Sequence, residues 1–384
     1  MKKICFITTV SVTLKTFVLA QAEYFRQQHP DWKIYFICDK DEDFAASLPK
    51  YINYIPIKMG RGVSVSGVLA VCSLIKIFSR EKFDLIQYAT PNAAFYASIA
   101  AKLTGAKNTL YCQWGIRYVG FSGGARKLFK LIEKVTCAAS KHINAVSPAN
   151  KEFAVSEKLY RADKATVVGR GGTIGVDLNN YDISLKQKYR EEIRNQHGIS
   201  NEFVIGFVGR LSRDKGTAEL LSAVRELEKH KKVKLLCIGA DEIGEEISKE
   251  LIAWAQNSDS VIFTGHKGNS EVIKYYSAMD IYVHPSYREG FGMVLQEAGA
   301  MGTPIITTDI PGASEVFENG VSCMLVPPKD AQTLAEAINE LIKNNSKRFD
   351  LGFKAREQTE KYYSRDIMLR QQLARYEEII SKKE

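Results

Sequence analysis

The chain has 384 residues, 45% hydrophobic and 25% charged, the balance of a folded globular protein with room for two domains, which excludes a disordered or fibrous chain. Its net charge of +9 is uneven: residues 1–180 hold 25 Lys and Arg against 13 Asp and Glu, and residues 181–384 hold 28 against 31. A basic first half suits an anionic partner, either nucleic acid or an anionic membrane. Seven scattered cysteines without a C-x-x-C pair argue against a disulfide framework or a zinc site and for the cytoplasm.

The chain opens on Lys2 and Lys3 and an apolar run, like a signal peptide, but Lys15 interrupts the run and a helical pattern follows at once. A first buried strand is therefore expected at 4–8. Further strands are expected at 33–38, 54–57, 84–88, 109–113, 143–146 and 165–168, with helices at 14–28, 65–78, 93–103, 126–138 and 148–159. Alternation at this spacing means βαβ units and a parallel sheet covered on both faces. The longest apolar runs, such as 63–77, are broken by Ser, Gly and Lys, so no membrane span is expected.

Several loops of this half invite a chemical reading. The loop after the first strand, Thr8-Thr9-Val10-Ser11-Val12-Thr13, has no glycine fingerprint, which disfavours a dinucleotide dehydrogenase using Asp39 as its ribose acid. Its hydroxyls, Thr9 among them, either meet a ligand or cap the next helix. Asp39-Lys40-Asp41-Glu42-Asp43 contains the Asp-x-Asp spacing of some metal sites, yet a short acidic run after a strand reads as a solvated turn. Residues 113–124 mix aromatics and glycines with Arg117, suited to stacking on a sugar ring or gripping a lipid-diphosphate headgroup. Trp114 and Arg117 are the candidates, the alternative being that Trp114 and Tyr118 are core. Residues 126–134 set cations beside large apolar residues. Such a helix lies on an anionic membrane or, the reading we prefer, covers the sheet.

Glycine-dense residues 169–177 approach a hinge, and the domains are expected at 1–180 and 181–364, with a C-terminal helix at 365–384. The second half repeats the plan, with strands at 203–208, 234–238, 261–263, 281–284, 305–307 and 323–326. The strand ending at Gly209 is followed by Arg210 and Lys215 before a helix near Thr217. Two cations at a strand's carboxyl end beside a helix N-terminus suit a diphosphate; otherwise they are loop charges paired with Asp214. From Ala278 to Gly312 the chain runs strand, glycine loop, helix, strand. Glu289 lies in the loop and Glu297 in the helix, near 293–301. Gly290 and Gly292 let the backbone approach a bulky anion, and Glu297 can accept from both hydroxyls of a ribose. The plain alternative is a capping Glu289 and a solvated Glu297.

The stretch REGFGMVLQEA, with seven residues between its glutamates, followed by G-x-P-I-I-T-T-D-x-x-G-x-x-E, resembles the donor-site signature of glycosyltransferase family 4. Gly206 to Leu211, Lys215-Gly216, Asn319-Gly320 and Leu325-Val326 add to the resemblance, which is dense from about Phe203 to Ala337 and thin before Gly169. It implies an α/β GT-B fold, two doubly wound Rossmann-like domains facing across a cleft, the last helix returning to the first domain. It implies a retaining enzyme that moves a sugar from a UDP- or GDP-sugar to a saccharide acceptor. Glu289 then orients the donor sugar, Arg210 and Lys215 hold the diphosphate, and Gly209, Gly290, Phe291, Gly292, Glu297 and His266 complete the nucleotide site. Thr9, Trp114 and Arg117 are the acceptor-side candidates, although relatives often carry a His-Gly pair where this chain has Trp114-Gly115. Protein cations and amide dipoles would stabilise the leaving diphosphate, so no metal or other cofactor is expected. A polyprenyl-diphosphate-linked acceptor at the inner face of the plasma membrane, in capsule or O-antigen assembly, fits the basic first half, with no nucleic acid involved. The rival readings are a nucleotide-sugar epimerase of the same architecture and a non-catalytic sugar-nucleotide-binding protein.

Overall fold

The structure is a computed structural model that describes residues 1–60, 65–244 and 246–382. Val63 and Ser64 of the apolar run, and the last two residues of the expected C-terminal helix, lie outside them. By contacts the chain divides into Met1–Ile174 with Met368–Glu384, and Gly175–Ile367. The division falls at 174/175, where the sequence suggested 180/181.

In the first unit β1 (Lys3–Ile7), β2 (Lys33–Cys38), β3 (Ile52–Pro56), β4 (Leu85–Tyr88), β5 (Thr109–Gln113), β6 (His142–Ala145) and β7 (Ala165–Val167) form one parallel sheet in the order β3-β2-β1-β4-β5-β6-β7. Each strand lies within a residue or two of its expected place. Side chains alternate across the sheet, so Cys5 and Ile7 enter one core layer with Leu74 and Ala97 while Ile4 and Phe6 enter the other. All four are fully buried, because helices cover both faces. The expected helix at 14–28 is two, Ser11–Phe17 and Leu19–Gln28, broken at Val18. The C-terminal helix Arg365–Ser381 buries Met368, Leu369, Leu373 and Tyr376, and the Tyr376 ring packs 4.8 Å from Phe25 and 6.1 Å from Phe6.

The helix Gly123–Ala139 takes the covering role preferred above with one face only: Cys137 enters the core, and Tyr111 and Gln113 of β5 donate to Glu133. Gly123–Ala139 buries Glu133, Thr136 and Cys137, whereas Leu128, Leu131 and Val135 are 50%, 59% and 37% exposed.

In the second unit β8 (Phe203–Val208), β9 (Val233–Ile238), β10 (Val261–Phe263), β11 (Ile281–His284), β12 (Ile305–Thr308) and β13 (Met324–Val326) form a parallel sheet in the order β10-β9-β8-β11-β12-β13. The strand order reverses between β1 and β4 in one sheet and between β8 and β11 in the other. Loops leaving the carboxyl ends of such a strand pair splay apart and open a crevice, the usual ligand position in open parallel sheets. Thr9 leaves β1, Lys215 follows β8, and Glu289 follows β11. All three lie at a reversal.

Candidate active site

At the reversal of the second sheet the β8 and β11 loops are stitched together by backbone. The Tyr287 N–H donates to the Asp214 carbonyl at 2.9 Å, and the Ser286 hydroxyl reaches the same oxygen at 3.2 Å. Gly216 makes the approach possible. Its φ is +71°, and a Cβ there would stand 2.0 Å from the Pro285 carbonyl oxygen. Gly312 does the same from the β12 side, where a Cβ would meet the Gly290 oxygen at 2.5 Å. Both glycines are required by close packing as well as by backbone conformation.

These loops bring Lys215 and Glu289 into contact. The Lys215 ammonium donates to Glu289 Oε1 at 2.5 Å, His284 Nε2 lies 2.8 Å from the same oxygen, and the Ser286 hydroxyl donates to it at 2.9 Å. Three partners converge on Oε1, so among the described residues Oε2 is the oxygen left for a ligand. Burial alone would raise the Glu289 carboxyl, but the His284 contact and the Lys215 charge outweigh it and hold the group far below the usual carboxylate range. Glu289 is therefore a permanent anion, suited to accept sugar hydroxyls or face developing positive charge, and unsuited to give up a proton. It caps no helix: the residue preceding Met293–Ala300 is Gly292, which offers no side chain.

Glu297, on the second turn of that helix, is partly buried against tyrosines. The Tyr276 hydroxyl donates to its Oε2 at 3.0 Å, and Tyr181 hydrogen-bonds it as well. Burial pushes its pKa up to about 7, against the pull of both hydroxyls. Tyr282, on β11, feels the charge of both glutamates and stands 3.2 Å from His284 Nδ1. The two acids thus flank one buried tyrosine, one fixed in charge and one poised near neutrality.

Other expected donor residues are less simply placed. Arg210 is half exposed and engaged by Glu242 at 2.5 Å and Asp214 at 3.7 Å; Asp214 in turn meets Arg288 at 3.3 Å. The loop-charge reading thus holds for Arg210 but not for Lys215. Exposed pairs of this kind contribute about 0–1 kcal/mol, so the guanidinium is held only weakly. Phe291 requires correction: its ring is buried 5.7 Å from Tyr363, leaving only its backbone to a ligand. Gly292 does too, because its N–H is donated to the Gly312 carbonyl at 3.1 Å and is not open to a phosphate. Gly209 ends β8 with φ +151°, and its N–H is donated to Ile238. His266 is exposed after β10, two strands from the Lys215–Glu289 contact.

In the first unit Thr9 meets Thr90 across the sheet reversal, their hydroxyls 2.8 Å apart. The hydroxyls of its loop do not cap the following helix, whose preceding residue is Val10; Ser11 instead donates to Asp41. Asp41 caps Glu42–Ser47 and Asp39 accepts the Met59 N–H, so the acidic run does structural work. Among the described residues no three His, Cys, Asp or Glu side chains gather as a metal site. Trp114 packs on Phe17 at 5.3 Å, closer to the core reading than to an open stacking platform. The Arg117 guanidinium lies 4.5 Å from the Phe129 ring and 3.5 Å from Asn92 Oδ1. Sequence reasoning missed the tyrosines around Glu297 and the role of Ser286, since hydroxyls on apolar strands and turns carry no periodic signal.

Two parallel sheets, with a lysine and a carboxylate in contact at the strand-order reversal of one, have the form of open α/β proteins that bind ligands at strand ends. Known proteins of this form are similar to the chain. Residues 189–358 match the family model described as glycosyl transferases group 1, and residues 3–147 match glycosyl transferase 4-like. The capsular polysaccharide biosynthesis glycosyltransferase CapM of Staphylococcus aureus is 30% identical over 374 residues, 96% of this chain and 94% of that one. The putative teichuronic acid biosynthesis glycosyltransferase TuaC of Bacillus subtilis is 32% identical over 222 residues, 58% of this chain and 51% of its own. A glycosyltransferase from Rickettsia africae superposes with a TM-score of 0.81 at 22% identity, covering 100% and 99% of the two chains. Anabaena Alr3699/HepE, solved with UDP, gives 0.77 at 22% identity over 98% and 99%. The chain belongs to the group 1, family 4-type glycosyltransferases, with the GT-B fold.

Proposed function

We propose that this enzyme is a retaining glycosyltransferase that takes a sugar from a UDP- or GDP-sugar, bound by the second unit, and adds it to a lipid-linked saccharide held by the first. The product is a cell-surface polysaccharide such as a capsule, as the names of CapM and TuaC suggest. The observation that carries this reading is the Lys215–Glu289 contact at the β8–β11 reversal. Lys215 has three N–H groups and commits one to Glu289, so the others can reach a phosphate while Glu289 Oε2 meets the sugar on the same diphosphate. A donor would thus be gripped across the bond that breaks.

In the step we envisage, the bond from the anomeric carbon to the diphosphate oxygen breaks and the acceptor oxygen bonds to that carbon from the same face. The acceptor's proton passes to the departing diphosphate, and Arg210 and Lys215 take up its developing charge. Glu297 accepts the ribose hydroxyls. No metal is needed, because the cations are part of the chain.

NMR of the protein with UDP- and GDP-sugars, first alone and then with a polyprenyl-diphosphate saccharide, tests this reading. We expect one donor to react only when acceptor is present, with the anomeric configuration kept, in EDTA as well as without it, and Glu289→Ala to lose at least a hundredfold in rate. An isomerised sugar nucleotide without acceptor would instead mean an epimerase, and binding without any turnover a scaffold.

A further inference from the structure

A cavity of about 680 Å³ opens on the second unit, a size within the roughly 300–1,000 Å³ of small-molecule sites. Its floor is Met279 and Asp280, just before β11, and Gly302 and Pro304, just before β12. It therefore lies at the amino ends of these strands, whereas Lys215 and Glu289 meet beyond the carboxyl ends. Each carboxylate lining it already has a cation. Asp280 takes Arg190 at 2.6 Å and Arg194 at 2.7 Å, Glu357 takes Lys354 at 2.8 Å, and Glu360 takes Arg356 at 2.5 Å. Lys186 and Arg348 line the same cavity with no carboxylate partner among the described residues. Arg348 is engaged by the Leu341 and Ile342 carbonyls and by Asn345. The Lys186 ammonium donates to the Gly302 carbonyl at 2.9 Å and to no other described group, which leaves two of its three N–H groups for the cavity. Burial and the charge of Arg190 push its pKa down to about 8, as happens to a buried ammonium short of negative charge. Phe349 and Phe353, four residues apart on the helix Asn345–Gln358, add apolar surface to the wall. They are 72% and 58% exposed, with rings 6.3 Å apart and inclined by only 15°.

We propose that this cavity binds a small organic anion, a flat apolar body against Phe349 and Phe353 that ends in a phosphate or carboxylate at Lys186. The unmatched ammonium selects the head group, because a buried charge is stabilised only by a partner of opposite sign. The two phenylalanines select the body, since aromatic rings bind flat apolar groups through their faces and edges. Lying at the opposite strand ends, the site is separate from the donor site and fills whether or not a sugar is transferred.

Calorimetric titration of the protein with phenyl phosphate and with benzoate, against the neutral benzyl alcohol, tests it. At least one anion should bind one to one and at least tenfold more tightly than the alcohol, and the tighter of the two shows which head group the site takes. Lys186→Met and Phe349→Ser should each weaken that binding tenfold or more, while Lys215→Ala, in the donor site, leaves it unchanged. Phe349 is mostly exposed, so its substitution should keep the wild-type circular dichroism spectrum and decides the matter even where Lys186→Met fails to fold. No binding of either anion, equal binding of the alcohol, wild-type binding by either cavity variant, or loss of binding in Lys215→Ala would overturn it. Each of these results leaves the transferase reading standing, because none depends on turnover.

Discussion

Glu289 and Glu297 carry the same functional group in opposite states, and their neighbours explain the difference. Glu289 has an ammonium, an imidazole and a hydroxyl on one oxygen; Glu297 has burial, which lifts its pKa from 4.5 to about 7 against the pull of two tyrosine hydroxyls. An unfolded chain would lose the Glu297 proton near 4.5, whereas the folded one keeps it to about 7. Between those values the native state binds more protons than the unfolded state, so folding stability falls as pH rises through the window. Removing the ionisable group should therefore help the fold and harm the function. We expect Glu297→Gln to melt higher than wild type at pH 8 and no higher at pH 5. The same variant should weaken donor binding roughly ten- to hundredfold, the worth of about 1.5–3 kcal/mol for hydrogen bonds to a charged acceptor. In the wild type the donor KM should rise as pH drops below 7. Melting curves at both pH values and donor titrations check each part.

The elements were far more legible than the contacts between them. Strands at 203–208 and 281–284 announced themselves as apolar runs that end in turn residues, and the acids and cations beyond them fell at strand ends as a parallel sheet requires. What sequence could not convey was pairing. That Lys215 meets Glu289 while Arg210 goes to Glu242 depends on β8 lying beside β11 and β9, a matter of strand order. Phe291 is a nucleotide-site residue by resemblance, and only the packing of Tyr363 against it reveals a core side chain. Likewise Gly292 looked free until Gly312 came to face it. At this scale Gly216 is the position to test. Gly216→Ala drives a methyl into the Pro285 carbonyl and forces the β8 and β11 loops apart. Donor affinity should drop more than tenfold with little change in the circular dichroism spectrum; unchanged affinity would mean that the contact between these loops is incidental.

For the whole molecule, charge and chemistry divide along the chain. The half before residue 181 holds the positive excess and the outward leucines, while the later half, close to neutral, holds Glu289 and Glu297 at the spacing that carries the family resemblance. The first sheet was foreseeable as a fold but not as a site. Thr9, Trp114 and Arg117 are held by Thr90, Phe17 and Phe129, contacts that alternation alone could not supply. No helix among the described residues is long and apolar enough to cross a membrane. The central claim concerns the other half: a diphosphate is held by cations belonging to the chain. Isothermal titration calorimetry of UDP and GDP in EDTA, with wild type and Lys215→Ala, measures it directly. The expected result is metal-free binding of one nucleotide, weakened at least tenfold by the substitution; binding that appears only with Mg²⁺ or Mn²⁺, or that ignores the loss of Lys215, would contradict it.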